Sequence, residues 1–422
     1  MTEQTRRAVI LGQGYVGLPV AMRAVEVGFD VVGFDVAKDR VDRLRRGETF
    51  IDDITDAEVA AALATGRYAP SCDPADLGGF DVAVISVPTP LQDGAPDLSY
   101  IERASDTLAP HVRPGCCVIL ESTTYPGTTE EVVVPRLEAG SSLRAGADFH
   151  VGFSPERINP GDKVYGLRNT PKIVSGIDEP SLHAVSDFFG ALVDRVVPVK
   201  GTREAELAKL LENTFRHVNI ALVNELAVYC HGLGIDVWSV IEAAASKPFG
   251  FMKFTPGPGV GGHCLPIDPS YLSWQVRRSL GQNFRFVDIA NDVNDHMPDY
   301  VASRATAHLN SDRKAVNGST ILLIGLAYKP NSGDSRESPA IAVAHRLREL
   351  GANLRAVDPL IDAEHVPAGI ELVDCSESEV AGADLVIVLT DHDAVDWPLL
   401  ERHAPRVLDT RNRLRSADVD RL

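Results

Sequence analysis

The residues from Arg7 to Asp35 constrain the fold more than any other stretch of the chain. Ala8-Val9-Ile10-Leu11 reads as a short buried strand, Gly12-Gln13-Gly14-Tyr15-Val16-Gly17 follows it directly, and Leu18 to Val27 carries an apolar helical pattern. In a strand–turn–helix unit the first glycine permits a tight turn. The second lets a ligand phosphate approach the backbone at the helix N-terminus, and the third lets the helix lie close against the strand. A second strand, Val31 to Phe34, ends in Asp35, 18 positions beyond Gly17. A carboxylate there accepts from a ribose 2′-hydroxyl and repels a 2′-phosphate, so the unit is expected to bind NAD rather than NADP. The glycine motif alone also fits a structural turn; the complete unit with its acidic end favours the dinucleotide.

Apolar strands are expected at Val82 to Val87, Cys117 to Leu120 and His150 to Phe153, with helical patterns between them, as a doubly wound parallel sheet requires. Pro88-Thr89-Pro90, Ser122-Thr123-Thr124 and Ser154-Pro155-Glu156-Arg157 then fall at strand C-termini, the edge where such sheets bind ligands. Each is either a plain turn or part of a site, and Glu156 is either a site residue or a solvated loop charge. Arg203 to Gly232 reads as one long helix, with Leu207, Leu210, Leu211, Phe215, Val218, Leu222 and Leu226 at helical spacing and Gly232 as its stop. Lys209 and Asn213, four apart, share a face that is either a cleft wall or a solvated stripe. His217 extends that face and reads as a satisfied structural histidine.

After a polar linker at Asn310-Ser311-Asp312 the pattern restarts with strand Ile321 to Leu326, helix Pro339 to Leu350 and strands Asn353 to Val357, Leu385 to Leu389 and Arg406 to Leu408. This is a second βαβ domain without a GxGxxG, so its ligand is expected to differ from a second dinucleotide. Lys329 and Arg336 lie on the loop after its first strand and are candidates for phosphate pairing, each also readable as a surface charge. The fold class is therefore α/β, two Rossmann-like doubly wound domains joined by a central long helix. The expected boundaries are 1–199, 200–312 and 313–422.

Between the two domains stands Gly257-Pro258-Gly259-Val260-Gly261-Gly262-His263-Cys264-Leu265-Pro266-Ile267-Asp268-Pro269. Its glycines allow close approach of backbone to a ligand, and its prolines limit the loop's freedom. Asp268 and Pro269 read as N-cap and first residue of a helix. Cys264 just ahead of it is a reactive thiol or inert packing; the nearby helix N-terminus favours a thiolate.

A formal net charge of -18 and the absence of any Lys/Arg block exclude a general nucleic-acid or anionic-membrane surface. No apolar run reaches the length of a membrane span, and Met1 to Arg7 runs into a strand without a signal-peptide core, so a cytosolic protein is expected. The 6 cysteines lack CxxC spacing, which fits a reducing compartment and gives no zinc site. No metal is expected.

Seven segments, in order, resemble the nucleotide-sugar 6-dehydrogenases, the group that contains UDP-glucose dehydrogenase and the UDP-N-acetylhexosamine dehydrogenases. They are GQGYVG at 12–17, SVPTP at 86–90, ESTTYPGTT at 121–129, FSPERINPGD at 153–162, LAKLLENTFRHVNIALVNELA at 207–227, the glycine–cysteine loop, and GLAYKPNSGDSRESP at 325–339. The resemblance implies an NAD-binding domain, a central segment that forms a homodimer around the long helix, and a UDP-binding domain. It implies a four-electron oxidation of a UDP-sugar's C6 alcohol to a carboxylate with two NAD. Cys264 is then the residue that captures the aldehyde as a thiohemiacetal, later a thioester. Lys209 and Asn213 stabilise negative charge on the C6 oxygen, Asp268 assists proton transfer, Glu156 positions water for hydrolysis, and Thr123 lies near the nicotinamide.

By the same resemblance, cofactor contacts come from Gly12, Gly14, Tyr15, Val16, Gly17, Asp35, Arg40, Pro88, Thr89, Thr123 and Arg336. Substrate contacts come from Glu156, Arg157, Lys209, Asn213, Phe254, Gly257, Gly261 and Lys329. Ile267, where UDP-glucose dehydrogenases usually carry lysine, and Arg157, where they show phenylalanine, look like the N-acetylhexosamine branch, with UDP-glucose as the alternative substrate. Two other classes stay open: a single-step hydroxyacid or 6-phosphogluconate-type dehydrogenase, which needs no cysteine, and a noncatalytic nucleotide-sugar binding protein.

Overall fold

The computed structural model describes residues 6–51, 53–92, 94–158, 164–262, 265–416 and 419–422. The chain divides into two compact units, Met1–Glu212 with Ser270–Leu280, and Asn213–Pro269 with Gly281–Leu422.

The first unit is built on β1 (Arg7–Leu11), β2 (Asp30–Phe34), β3 (Tyr68–Ser71) and β4 (Val82–Ile85), a small hairpin of β5 (Leu91–Gln92) and β6 (Ala95–Pro96), then β7 (Cys117–Leu120), β8 (His150–Phe153), β9 (Lys172–Gly176) and β10 (Val196–Pro198). Eight of these form one sheet in the order β10-β9-β8-β7-β4-β1-β2-β3, parallel throughout except for the β8–β9 pair. Strand order reverses between β1 and β4, which opens the crevice used for ligands at their C-terminal ends. Both faces of β1 are covered: Ala8 and Ile10 pack in one core with Leu18, Val31 and Phe188, while Val9 and Leu11 pack in another with Val32, Ile85 and Phe153. Continuous burial of this kind explains why the strands read as unbroken apolar runs.

The second unit carries a six-stranded parallel sheet of β11 (Thr320–Ile324), β12 (Asn353–Val357), β13 (Ile370–Leu372), β14 (Leu385–Val388), β15 (Val407–Asp409) and β16 (Asp420–Arg421), in the order β13-β12-β11-β14-β15-β16. Ile321 and Leu323 face one core with Leu354 and Val343; Leu322 and Ile324 face the other with Val386 and Leu400.

The long helix spans Thr202–Leu233, starting in the first unit and ending in the second. Its stop is Gly234, not Gly232. Gly234 takes φ +69, its N–H reaches His231 O at 3.1 Å, and Ile235 N reaches Cys230 O at 2.8 Å, the bond pair of a Schellman end. Gly232, still helical, lacks that geometry. The expected linker at Asn310-Ser311-Asp312 is also revised, because Arg285–Ser311 is one helix and Asp312 is its C-cap. Polar residues there end a helix that is capped by backbone bonds from Asp312 N to Asn310 O and Leu309 O.

Within the first unit, Glu206 ties the long helix to the turn that follows β7. Its buried carboxylate accepts from Gly127 N at 2.6 Å, Thr129 N at 2.9 Å and Thr129 Oγ1 at 2.7 Å. Burial, opposed by those three bonds, raises its pKa to about 7. Glu206→Ala leaves two buried N–H groups unsatisfied and is expected to cost about 2–4 kcal/mol in urea denaturation; an unchanged midpoint and slope would contradict the clamp.

Candidate active site

At the end of β1 the backbone is crowded by protein. Gly12 adopts φ +92, and a Cβ on it would lie 2.4 Å from Ser86 O; a Cβ on Gly17 would lie 1.9 Å from Gly12 O. Gly14 differs, for a Cβ there meets no atom within 4 Å. Protein packing therefore requires glycine at 12 and 17, whereas space at 14 is left for something outside the chain. The helix Gly17–Glu26 has no side-chain cap, and although Leu18 N–H is spent on Gly14 O at 3.1 Å, the positive end of its dipole favours an anion there. Asp35 is buried at the end of β2 and accepts from Gln13 N at 2.9 Å and Ala37 N at 2.8 Å, with Arg40 Nη1 at 3.3 Å. Tyr15 is exposed and Thr123 half-buried. Thr89 O and Pro90 O both face the hydroxyl of Tyr271, which fixes the loop after β4.

The loop after β8 holds Glu156 beside Lys172, the first residue of β9. Lys172 Nζ is hydrogen-bonded to Glu121, at the end of β7, and lies 3.5 Å from Glu156 Oε2. Glu156 also accepts from Arg157 N at 2.6 Å. Burial works to raise the pKa of Glu156, but Lys172, the Ile158 N–H and Lys209 outweigh it, and the result is below the usual carboxylate range. For Glu121 burial prevails over Lys172, and its pKa rises to about 7. Arg157 is spent largely on protein: its Nη2 and Nε reach Glu212 at 2.6 and 3.3 Å and its Nη1 reaches Pro171 O at 2.8 Å.

In the second unit, Asn213 Nδ2 donates to Asp268 Oδ2 at 2.5 Å, both residues being buried. Asp268 opens the helix Asp268–Leu280, and Cys264 lies outside the described residues. His217 is hydrogen-bonded within the protein, in keeping with its reading as a satisfied structural histidine. It pairs with Asn291 Oδ1 at 2.7 Å, and burial lowers its pKa. Asn294 links His217 to Asn224, whose Oδ1 accepts Gly257 N at 2.9 Å, so a chain of buried amides holds the start of the glycine loop. The space beside that loop's glycines is filled by protein: a Cβ on Gly257 would meet Arg411 Nη1 at 2.6 Å, and one on Gly261 would meet Glu337 O at 2.6 Å. Phe254 packs edge-on against Phe215. Lys329 lies over the Tyr328 ring, and Arg336 pairs with Asp334 at 2.6 Å. The loop bearing Lys329 is pinned by Asp358, which accepts from Leu326 N at 2.7 Å, and by His392, which accepts from Asn331 N at 3.1 Å.

Lys172, Glu121, Asn224 and Arg411 were not singled out in sequence. A lone lysine opening the KIVSG strand was the available signal for the first; Glu121 and Asn224 lie in motifs whose spacing does not reveal which residue faces which, and Arg411 lies in none of them.

Residues 6–192 match the NAD binding domain of the UDP-glucose/GDP-mannose dehydrogenase family, 203–296 its central domain and 322–416 its UDP binding domain. The chain belongs to that family. As a member it is an NAD-dependent nucleotide-sugar dehydrogenase, and Gly14, the uncapped helix and Asp35 fit that cofactor. The chain is 35% identical to a UDP-N-acetyl-D-mannosamine dehydrogenase of Pyrococcus horikoshii over 98% of its own length and 97% of the relative's. It is 37% identical to a UDP-N-acetyl-D-glucosamine 6-dehydrogenase of Pseudomonas aeruginosa over 85% and 84%. The solved structure of a UDP-D-ManNAc dehydrogenase from Pyrococcus horikoshii superposes with a TM-score of 0.88 at 35% identity, covering 98% of this chain and 97% of that one. Among the described residues no helix is long and apolar enough to cross a membrane.

The two kinds of glycine separate experimentally. Gly17→Ala is expected to lower stability by about 1–3 kcal/mol through overpacking against backbone. Gly14→Ala should leave Tm within a degree or so and weaken NAD binding roughly tenfold or more, measured by calorimetry. Equal loss of Tm in both variants would contradict the assignment of Gly14 to the cofactor.

Proposed function

We propose that this dehydrogenase oxidises the C6 hydroxyl of a UDP-N-acetylhexosamine, UDP-N-acetylglucosamine or an epimer, to the carboxylate. The observation that carries the reading is the buried Asn213–Asp268 hydrogen bond, which joins a residue of the long helix to the end of the cysteine loop across 55 positions of sequence. The names of the relatives and the presence of Ile267 and Arg157 support the N-acetylhexosamine class.

NAD, when bound, accepts a hydride in each of two oxidations. The chain's residues do the rest. Lys209 and Asn213 oppose negative charge on the C6 oxygen, and Asp268 moves the proton released there. The thiol of Cys264 adds to the aldehyde and holds it as a thiohemiacetal; oxidation turns this into a thioester, and water releases the acid. Glu156, held ionised, takes the proton of that water. Thr123 would hold the cofactor near its reacting ring, Asp35 and Arg40 would hold its ribose, Gly12, Gly14, Tyr15, Val16 and Gly17 its pyrophosphate, and Pro88, Thr89 and Arg336 would complete its contacts. Lys329, Phe254, Arg157 and the backbone of Gly257 and Gly261 are the proposed contacts of the nucleotide sugar. Residues 1–199, 200–312 and 313–422 are the functional divisions in this reading. The compartment is the cytoplasm, where the free thiols of Cys72, Cys116, Cys117, Cys230 and Cys375 suit a reducing environment.

The long helix is proposed as the core of a homodimer. Leu211 at 62%, Leu222 at 61%, Tyr229 at 59% and Leu233 at 72% are exposed along it at helical spacing, together with Leu207, Phe215 and Leu226. An apolar stripe of that length is what a second copy covers.

Turnover of UDP-N-acetylglucosamine, UDP-N-acetylmannosamine and UDP-glucose, with NADH counted against sugar consumed, tests the reaction. Two NADH per N-acetylated sugar and loss of turnover in Cys264→Ala are expected. One NADH per sugar, or full activity without the thiol, overturns the covalent route, and a strong preference for UDP-glucose overturns the substrate class. For the assembly, light scattering should give two chains for the unmodified protein and one for Leu211→Asp/Leu222→Asp; a monomeric unmodified protein refutes it.

A further inference from the structure

Two of the three charges clustered at the ends of β7, β8 and β9 have no part in the chemistry described so far. Glu121 and Lys172 are almost wholly buried, yet neither bonds a backbone group that needs them. Glu121 Oε2 is a buried oxygen without a hydrogen-bond partner. Lys172 Nζ sits 4.8 Å from the Phe189 ring centroid, and among the described residues its opposite charges are Glu121 and Glu156. A purely structural ion pair this deep is often replaceable by apolar side chains at no loss of stability. What distinguishes this one is its third member: Glu156 is turned so that one oxygen accepts the Arg157 and Ile158 N–H groups and the other faces Lys172.

We propose that Lys172 is a positioning residue for the hydrolytic step: balanced by Glu121, it aims the carboxylate of Glu156 and fixes its charge. This rests on the reading of Glu156 as the base for thioester hydrolysis. In that step the water oxygen bonds to the thioester carbonyl carbon, Glu156 takes the water proton, the carbon–sulfur bond breaks, and the Cys264 thiolate recovers the proton. Lys172 touches none of the reacting atoms. It acts through Glu156, against which the charged groups among the described residues of the first unit include Lys172 from β9, Glu121 just after β7 and Lys209 from the long helix. Glu121 competes with Glu156 for the same ammonium, so the two carboxylates set one another's charge through it.

The competition makes the test directional. In Lys172→Met, Glu156 loses its nearest cation, and the acid limb of the kcat profile is expected to move up by about one pH unit. The NADH burst should persist while steady-state turnover falls roughly tenfold, because the oxidations precede hydrolysis. In Glu121→Gln the ammonium serves Glu156 alone, and the limb should move down. Lys172→Arg should restore most of the rate. If Lys172→Met does not fold, Glu121→Gln and Lys172→Arg still decide the matter. An acid limb that stays put, or moves the same way in Lys172→Met and Glu121→Gln, overturns the role of Lys172. Glu156→Gln separates the two ideas: if it hydrolyses the thioester at the normal rate, the reading of Glu156 itself fails, whereas slowed hydrolysis there with an unmoved Lys172→Met profile removes Lys172 only.

Discussion

In both sheets the central strand ends in a turn whose N–H groups point into a crowded crevice, and a carboxylate from the end of the neighbouring strand accepts them. Asp35 takes Gln13 N; Asp358 takes Leu326 N at 2.7 Å and Ala327 N at 3.1 Å. The turns themselves are alike, with Gly12 at φ +92 and Gly325 at φ +83, and a Cβ on either would strike the carbonyl at the end of the next strand, Ser86 O at 2.4 Å or Thr390 O at 2.5 Å. Without the acceptor those buried N–H groups would be orphaned, and the ligand edge of each sheet would lose its shape. The two carboxylates then diverge. Asp358 also receives Leu360 N and Ile361 N and faces His392 at 3.2 Å; these bonds outweigh burial and lower its pKa to about 2. It is consumed by the protein and belongs to the scaffold of the Lys329 loop, whereas Asp35, with two backbone bonds, keeps acceptor capacity for a ribose.

The same edge of the first sheet accommodates a cluster of three charges. Two carboxylates around one ammonium carry a net negative charge in a region whose strands are otherwise apolar, and desolvation of each ion costs several kcal/mol before pairing offsets it. Glu156 is compensated by two N–H groups as well as by Lys172, and Glu121 by Lys172 alone. That difference explains why burial prevails in Glu121 and not in Glu156, although they share a partner.

Strands buried on both faces are legible in the sequence as apolar runs bounded by turn residues, as at Cys117–Leu120 and His150–Phe153, whereas Tyr68–Ser71, Lys172–Gly176, Val196–Pro198, Ile370–Leu372 and Asp420–Arg421, which are short or carry polar residues, are not among the expected strands. Helix ends were less so. Gly232 and Gly234 are equally plausible stops by composition, and only the left-handed φ of Gly234 selects it. The polar triplet Asn310-Ser311-Asp312 resembled a linker because helix C-termini also favour polar residues. In the site, the N-terminal glycines were readable since each has a separate steric cause. The glycines of the glycine–cysteine loop suggest room for a ligand, yet Arg411 and the Glu337 carbonyl occupy the space beside Gly257 and Gly261. Those partners lie 154 and 76 positions away in sequence, and spacing carries no trace of them.

Arg157 shows how far substrate selectivity follows from this geometry. A guanidinium has five N–H donors, and three are spent on Glu212 and Pro171 O. The Nε/Nη2 edge of the guanidinium is closed on Glu212, which leaves one donor on each Nη. An acetamido oxygen needs no more than one. A phenylalanine at this position could not pair Glu212, and would leave that carboxylate on the long helix without its partner. Arg157 therefore ties the loop bearing Glu156 to the helix bearing Lys209, and one hydrogen bond from it to the proposed N-acetylated sugar would add only about 1 kcal/mol to that structural role.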